Sequence, residues 1–232
     1  MYIDICLPNN NEKELIKRAK ELGYSQLVFL YQFKSVKAIQ EKKKLFPEQK
    51  IGLVLFPKKA FGITKLPLKL ACEADLVAAA SADINVIRAI LGHKNIDIAF
   101  NVPNDWGRDN PHYRYSNFNQ VFANIAKKND TIYCINFSRL SEKEGKDRAK
   151  LLGREMQNIR ICRRKIPIIM ASFAKNEWQM RKPEDFSSIL QLMGLNEKQA
   201  KNGLSKHIEN ILKHKETITK RGYIRKGVKV ID

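Results

Sequence analysis

The chain is poor in the groups from which most active sites are built. Its 232 residues include only four cysteines and four histidines. Cys6, Cys72, Cys134 and Cys162 stand far apart with no C-x-x-C pair, and three of them lie inside apolar runs. The spacing encodes neither a zinc ribbon nor a disulfide framework, and the pattern is that of a reduced, intracellular protein. No glycine-rich loop of dinucleotide or Walker type follows a candidate strand, which removes the physical basis of a nucleotide-phosphate cradle. There is no G-x-S-x-G turn, no low-complexity segment and no repeat beyond an alternation of strands and helices. The longest apolar runs, such as IPIIMASF at 166–173, are too short to span a bilayer. The opening MYIDICLPNN lacks a basic n-region, so a soluble cytoplasmic protein is expected.

Acidic side chains are also scarce relative to basic ones, 24 against 43, for a net charge of +19. Such an excess points to a polyanion, nucleic acid first and an acidic membrane surface second. More than half of it falls in two segments, 139–165 and 213–232. Apolar content of 44% over this length is enough to bury a full core, and one domain is expected.

Short apolar strands alternate with amphipathic helices throughout. Seven strands are predicted, at 2–7, 26–31, 51–56, 75–80, 96–102, 131–137 and 166–171. Between the first two, Asn11 opens a helix with Leu15, Ile16, Ala19 and Leu22 inside and Gly23 in the left-handed position after it. Asp83 caps a second helix with Ile84, Ile87, Ile90 and Leu91 inside and Gly92 following, and Pro183, Glu184 and Asp185 preset the first turn of a third. Seven such units predict an α/β fold, a TIM-barrel-like parallel (β/α) barrel with about seven strands, a missing or substituted eighth unit and extra C-terminal helices. An open doubly wound sheet is the alternative. Residues 1–212 are read as the single barrel domain and 213–232 as a basic C-terminal extension.

A barrel enzyme would draw its chemistry from the carboxyl ends of the strands. Those ends offer Pro8, Asn9, Tyr31, Gln32, Pro57, Lys58, Ser81, Asn101, Ser138, Arg139, Ser172 and Lys175: hydroxyls, amides and cations, without histidine or carboxylate. Metal-assisted hydrolysis needs several converging ligands, and only Asp105, Asp109 and His112 cluster. Because they stand among Arg108, Arg114, Asn104 and Asn110, a solvated loop tied by turns and ion pairs is the preferred reading.

The most informative stretch is 105–140. Its helix is read with Asn117 as N-cap and Gln120 three residues on, with Phe118, Val121, Phe122, Ile125 and Ala126 on one face and Lys127 and Lys128 closing it against the dipole. The strand that follows ends at Ser138 and Arg139. Trp106, His112, Tyr113 and Tyr115 interleave with Arg108 and Arg114, a mixture of flat and cationic groups suited to structured RNA. Further on, Lys146, Lys150 and Arg154 form one row of a helix and read as a solvated basic face, with Ala149, Leu152, Met156 and Ile159 opposite.

Within this stretch Arg114, Asn119, Ala123, Ala126 and the Ile-Asn-Phe-Ser run at 135–138 resemble the archaeal and eukaryotic family of ribonuclease P protein component 3, the p30-type subunit. Ala171, Ser172, Arg181, Pro183 and Asp185, then Gly194, Ser205, Lys206 and Ile211, continue the likeness. The family resembles in fold the metal-dependent phosphoesterases of the polymerase-and-histidinol-phosphatase superfamily, whose first strand carries an Asp-x-His-x-His pattern. Here Asp4 remains while Cys6 and Pro8 occupy the histidine positions, so the resemblance implies a barrel without its metal site and a structural, hydrogen-bonding Asp4. It also implies a subunit of the ribonucleoprotein that removes 5′ leaders from precursor tRNA. In that enzyme the RNA is the catalyst, the proteins position it, and a small α/β protein forms a heteromer with this subunit. No cofactor is expected on the protein, and Mg²⁺ is expected for the RNA. The residues expected to bind nucleic acid are Arg88, Arg108, Arg114, Lys127, Lys128, Arg139, Lys175 and Arg181, with no catalytic residue. Two rival functions are a stand-alone metal-dependent barrel phosphoesterase or nuclease, using Asp4, Asp105, Asp109 and His112, and a basic barrel bound to another structured RNA.

Overall fold

A computed structural model describes residues 1–219 except 106, 108 and 111; of 218–219, 223–225 and 228–229 only the backbone is described. Seven strands, β1 (Ile3–Cys6), β2 (Gln26–Tyr31), β3 (Lys50–Leu55), β4 (Val77–Ala80), β5 (Ile98–Phe100), β6 (Ile132–Asn136) and β7 (Ile168–Ala171), pair in sequential order, every pair parallel. Each lies within one or two residues of its predicted span. The intervening helices are α1 (Glu12–Glu21), α2 (Val36–Leu45), α3 (Phe61–Thr64), α4 (Leu68–Glu73), α5 (Ile84–Gly92), α6 (Gln120–Lys128), α7 (Phe137–Glu142) and α8 (Gly145–Cys162). After β7 come α9 (Pro183–Leu192), α10 (Glu197–Gly203) and α11 (Lys206–Thr219), then a small antiparallel pair, β8 (Tyr223–Arg225) and β9 (Val228–Lys229).

The sheet closes between β7 and β1, where an eighth strand would stand in a complete barrel. The Phe173 N–H donates to Ile5 O (2.8 Å) and the Leu7 N–H to Ala174 O (2.9 Å). Lower in the seam a side chain replaces backbone pairing. Asp4 Oδ1 accepts the N–H groups of Ile5 (2.9 Å) and Ser172 (2.8 Å). Asp4 is therefore structural, and burial raises its pKa to about 6 against hydrogen bonds from Ser172 and Ile5 that favour the charged form. The doubly wound alternative is excluded by this closure.

Alternate residues of each strand fill the barrel interior, among them Ile5, Leu30, Val54, Ala78, Ile98 and Ile169. Both ends of that core are stoppered. At the carboxyl end Phe100 and Phe173 stack with centroids 4.4 Å apart, and Phe56 meets Phe100 edge-on at 6.0 Å. At the amino end Ile208 and Leu212 of α11 join the interior cluster, while Leu204 O accepts the Ile3 N–H (3.3 Å). The expected start of the basic extension at 213 falls inside α11, whose Lys215 pairs with Asp97 (3.2 Å) and whose Glu216 pairs with Lys50 (2.7 Å).

Several helix signals act as read and others are displaced. Gly23 takes φ +86 after α1, Asp83 accepts the N–H groups of Asn85 and Val86, and Pro183 occupies the first turn of α9. Ile84, however, is exposed beside its cap, and Gly92 ends α5 as a helical residue. The cap of α6 is Asn119, whose side chain accepts the Phe122 N–H (2.9 Å), and not Asn117. Asn117 has φ +55 and donates through Nδ2 to Ala82 O (2.6 Å), tying the loop to the β4–α5 turn. With the helix starting two residues later, its buried face is Phe122, Ala123 and Ala126, and Val121 turns outward. β6 stops at Asn136 because that side chain caps α7 by accepting the Arg139 N–H (3.2 Å), which places Ser138 and Arg139 in a helix. No helix among the described residues is long and apolar enough to cross a membrane.

Candidate nucleic-acid interface

The loop between β5 and α6 is held on α8 by one buried cation. Arg154, 1% exposed, donates through Nε to Asp109 Oδ1 (2.9 Å), through Nη2 to Gly107 O (2.9 Å) and through Nη1 to Asn104 O. The solvated basic row expected at Lys146, Lys150 and Arg154 therefore breaks at its last member. Helical spacing put the three side chains together, but the turn carrying Arg154 lies under a loop that supplies an anion and two carbonyls, which is what a buried guanidinium requires.

Asp109 gathers the loop from the other side. It accepts the Tyr115 N–H (2.9 Å) and pairs with Arg114 (3.4 Å). Burial opposes its charge, yet the Tyr115 N–H and the Arg154 and Arg114 guanidiniums hold its carboxyl below the usual range. Gln157 clasps Arg114 by accepting its N–H and donating to its carbonyl, both at 2.8 Å. Arg139 donates through Nη2 to Pro103 O (2.7 Å) and Asp105 Oδ1 (2.9 Å), and Lys143 adds a second cation to Asp105 at 3.4 Å. The loop is thus tied by ion pairs, with Asp105 and Asp109 both committed to cations. Among the described residues no group of three or more His, Cys, Asp or Glu is arranged to hold a metal.

The expected binding residues divide between two ends of the barrel. At the carboxyl end Arg114 is half exposed, and Lys175 is exposed with only a long contact to Glu142 (3.8 Å). Arg139 is largely covered, and Arg181 donates to Trp178 O (2.6 Å) and Met180 O (2.8 Å) with its guanidinium over Phe137. Tyr113, at 59% exposure, Tyr115 and Trp178, at 75%, stand free to stack on this face. Arg88 projects from the outer side of α5, and Lys127 and Lys128 close α6 at the opposite, amino end. Arg108 and Trp106 lie outside the described residues.

Gly153, in the middle of α8, shows why a poor helix former stands there. A Cβ at this position would lie 2.6 Å from Cζ of Arg114, so the guanidinium lies flat against bare helix backbone. Gly153→Ala is expected to push Arg114 off α8 with little net change in stability. A helix-propensity gain of about 1 kcal/mol offsets the loss of an exposed ion pair worth ~0.5 kcal/mol. Thermal unfolding checks this, and a fall in Tm of more than about 4 °C, equivalent to over ~1 kcal/mol here, contradicts it.

Fold and site together define a strongly basic, closed α/β barrel whose mouth is filled by phenylalanines and whose surface cations are organised by loops. The chain belongs to the RNase P subunit p30 family, whose model matches residues 1–220. Ribonuclease P protein component 3 of Methanosarcina mazei is 24% identical, with 100% of this chain covering 96% of that protein. The Methanocaldococcus jannaschii protein of the same description is 28% identical over 82% of this chain and 81% of its own length. A chain in the cryo-EM structure of archaeal ribonuclease P with mature tRNA superposes with a TM-score of 0.82 at 21% identity, covering 99% of this chain and 98% of that one. The protein is a ribonuclease P subunit with a TIM-barrel-like fold.

Proposed function

We propose that the chain serves ribonuclease P without an active site of its own, binding the ribonuclease P RNA and, through the complex, precursor tRNA. It works in the cytoplasm beside other protein subunits, a small α/β partner among them, while Mg²⁺ on the RNA supplies the chemistry of 5′-leader removal. The observation that carries this reading is the stopper at the barrel mouth. Where a barrel enzyme opens its substrate pocket, Phe56, Phe100 and Phe173 pack together, and the carboxylates of the β5–α6 loop, Asp105 and Asp109, are spent on arginines. The net charge of +19 supplies attraction for phosphate. Arg88, Arg108, Arg114, Lys127, Lys128, Arg139, Lys175 and Arg181 are the proposed contacts; Arg114 and Lys175 are the most available at the carboxyl end, next to stacking Tyr113 and Trp178.

The purified chain alone is expected to leave precursor tRNA uncut in Mg²⁺ or Mn²⁺ while binding ribonuclease P RNA with an affinity that falls steeply with salt. Turnover by the isolated chain together with stoichiometric bound metal would overturn the reading in favour of a stand-alone phosphoesterase. Salt-independent binding would remove its electrostatic basis.

A further inference from the structure

At the amino end of the barrel two adjoining grooves, of about 600 and 320 Å³, run beneath the first residues of β5, β6 and β7 and along α11. They share Lys165, Ile166, Pro167 and His207, so they form one continuous channel. Its cations come from three places in the chain: Lys94 before β5, Lys127 and Lys128 at the end of α6, and Arg163, Arg164 and Lys165 between α8 and β7. His207 and His214 of α11 line the opposite wall.

Pairing separates this end from the other. At the carboxyl end Arg114, Arg139, Lys143, Arg154 and Lys175 each form an ion pair with Asp105, Asp109 or Glu142. Among the described residues none of the six groove cations does. The groove has two acids, Asp97 and Asp130, and Asp97 is already matched by Lys215 and by the Val77 N–H (2.7 Å). Arg163 donates to Gly194 O (3.0 Å) and Lys165 to Asn124 Oδ1 (2.8 Å), neutral partners that leave the charges uncompensated, so phosphate need only release loosely bound counterions, whereas a cation in an ion pair must first give up its anion. Asn202 and Asn210 also line the channel, with side-chain amides that can hydrogen-bond sugar hydroxyls. His207, whose pKa is lowered by burial and by Lys206, adds a neutral ring on the same wall.

We infer that this amino-end channel is a binding site for an RNA phosphodiester backbone, and that Lys94, Lys127, Lys128, Arg163, Arg164 and Lys165 give the protein its main phosphate contacts. The inference rests on the functional reading above and adds a location that the loop-rich carboxyl end would not suggest. It favours RNA over an acidic protein segment because six cations line the channel while the large apolar side chains Ile132, Ile166, Ile168 and Leu195 are buried, leaving only Pro167 exposed where the two grooves meet.

The test uses the full-length chain with Lys127→Ala, Lys128→Ala and Arg164→Ala combined, all exposed side chains without ion pairs. Its control is Lys13→Ala, Lys17→Ala and Lys20→Ala on α1, which removes the same charge elsewhere. Binding to a ribonuclease P RNA transcript and to a short labelled oligouridine is measured over a salt series, with thermal unfolding as the check on folding. The groove variant is expected to lose roughly tenfold or more in affinity for both probes and to lower the slope of log K against log salt by about two to three units, with the control near wild type. Equal losses in both variants, or none in the groove variant, would overturn the site. So would a groove variant that keeps its RNA affinity but no longer co-purifies with a partner subunit. A wild-type chain with no salt-dependent RNA binding would instead overturn the functional reading itself. In the assembled enzyme, 4-thiouridine crosslinks should map to peptides containing 127–128 and 163–165, and their confinement to 112–115 and 175–181 would also refute the channel.

Discussion

Arg154→Ala should lower stability by about 3 kcal/mol, which for a domain of this size is roughly 6–12 °C in Tm. The side chain is buried and divides its donors between the Asp109 carboxylate and the carbonyls of Asn104 and Gly107. Truncation orphans two carbonyls, leaves Asp109 with Arg114 and the Tyr115 N–H, and opens a cavity beneath the loop. Because Asp109 is partly exposed, the loss should sit at the low end for a broken buried pair. Arg154→Lys keeps the charge but not the fork, and should recover only part of it. Adding Asp109→Asn to Arg154→Ala should cost little more, since the acid has already lost its main partner. Urea unfolding of the three variants decides the matter. An Arg154→Ala protein within about 2 °C of wild type, a change of under ~1 kcal/mol, would mean that Arg154 belongs to the solvated row its spacing suggests.

Glu155, the next residue, faces inward and yields a pH prediction. Tyr133 donates to Glu155 Oε2 (2.5 Å), and Asn158 donates to the Tyr133 hydroxyl (2.8 Å) and to Ser116 O (3.2 Å). Burial raises the Glu155 carboxyl from 4.5 to about 7, against the Tyr133 hydrogen bond and the charge of Arg139, which favour ionisation. Between those values the folded protein holds a proton that the unfolded chain has released, so stability falls as pH rises from about 4.5 to about 7. The linked loss is on the order of 3 kcal/mol. Asp4, raised to about 6, pulls the same way over a lower window, from 3.8 upward. Glu155→Gln retains an oxygen to accept from Tyr133 and cannot ionise. Relative to wild type it should gain on the order of 3 kcal/mol between pH 4.5 and pH 8, measured by urea unfolding. An offset between variant and wild type that is the same at both pH values contradicts a neutral Glu155.

Much of the scaffold was legible because short apolar runs alternate with period-3.6 helical patterns along the chain. Gln26–Tyr31 is a strand buried on both faces and reads as one, and Asp83 and Pro183 mark helix starts by chemistry that works locally. Asp4 was legible as structural because Cys6 and Pro8 cannot rebuild a ligand pair around it. What was hidden depends on partners distant in sequence. Asn117 has the right type to cap a helix, but a carbonyl at Ala82 claims its amide, and Asn119 caps instead. Arg154 sits at a spacing shared by surface lysines, and only the fold of the 104–115 loop buries it. Lys127 and Lys128 were visible as helix-closing cations, while Lys94, Arg163, Arg164 and Lys165, which the barrel gathers beside them, carry no shared motif. One signal could have pointed to that end: 139–165 finishes in an Arg-Arg-Lys run with no acid beyond Glu155, immediately before a buried strand.

The central claim is that this protein contributes binding and not chemistry to ribonuclease P. Its most direct test is reconstitution of the enzyme from its RNA and protein subunits with and without this chain, following precursor-tRNA cleavage at limiting Mg²⁺. The account predicts that omission sharply reduces 5′-leader removal, that adding the chain back restores it, and that the chain without RNA cleaves nothing. Unchanged cleavage on omission, or cleavage by the chain with the RNA left out, would contradict it.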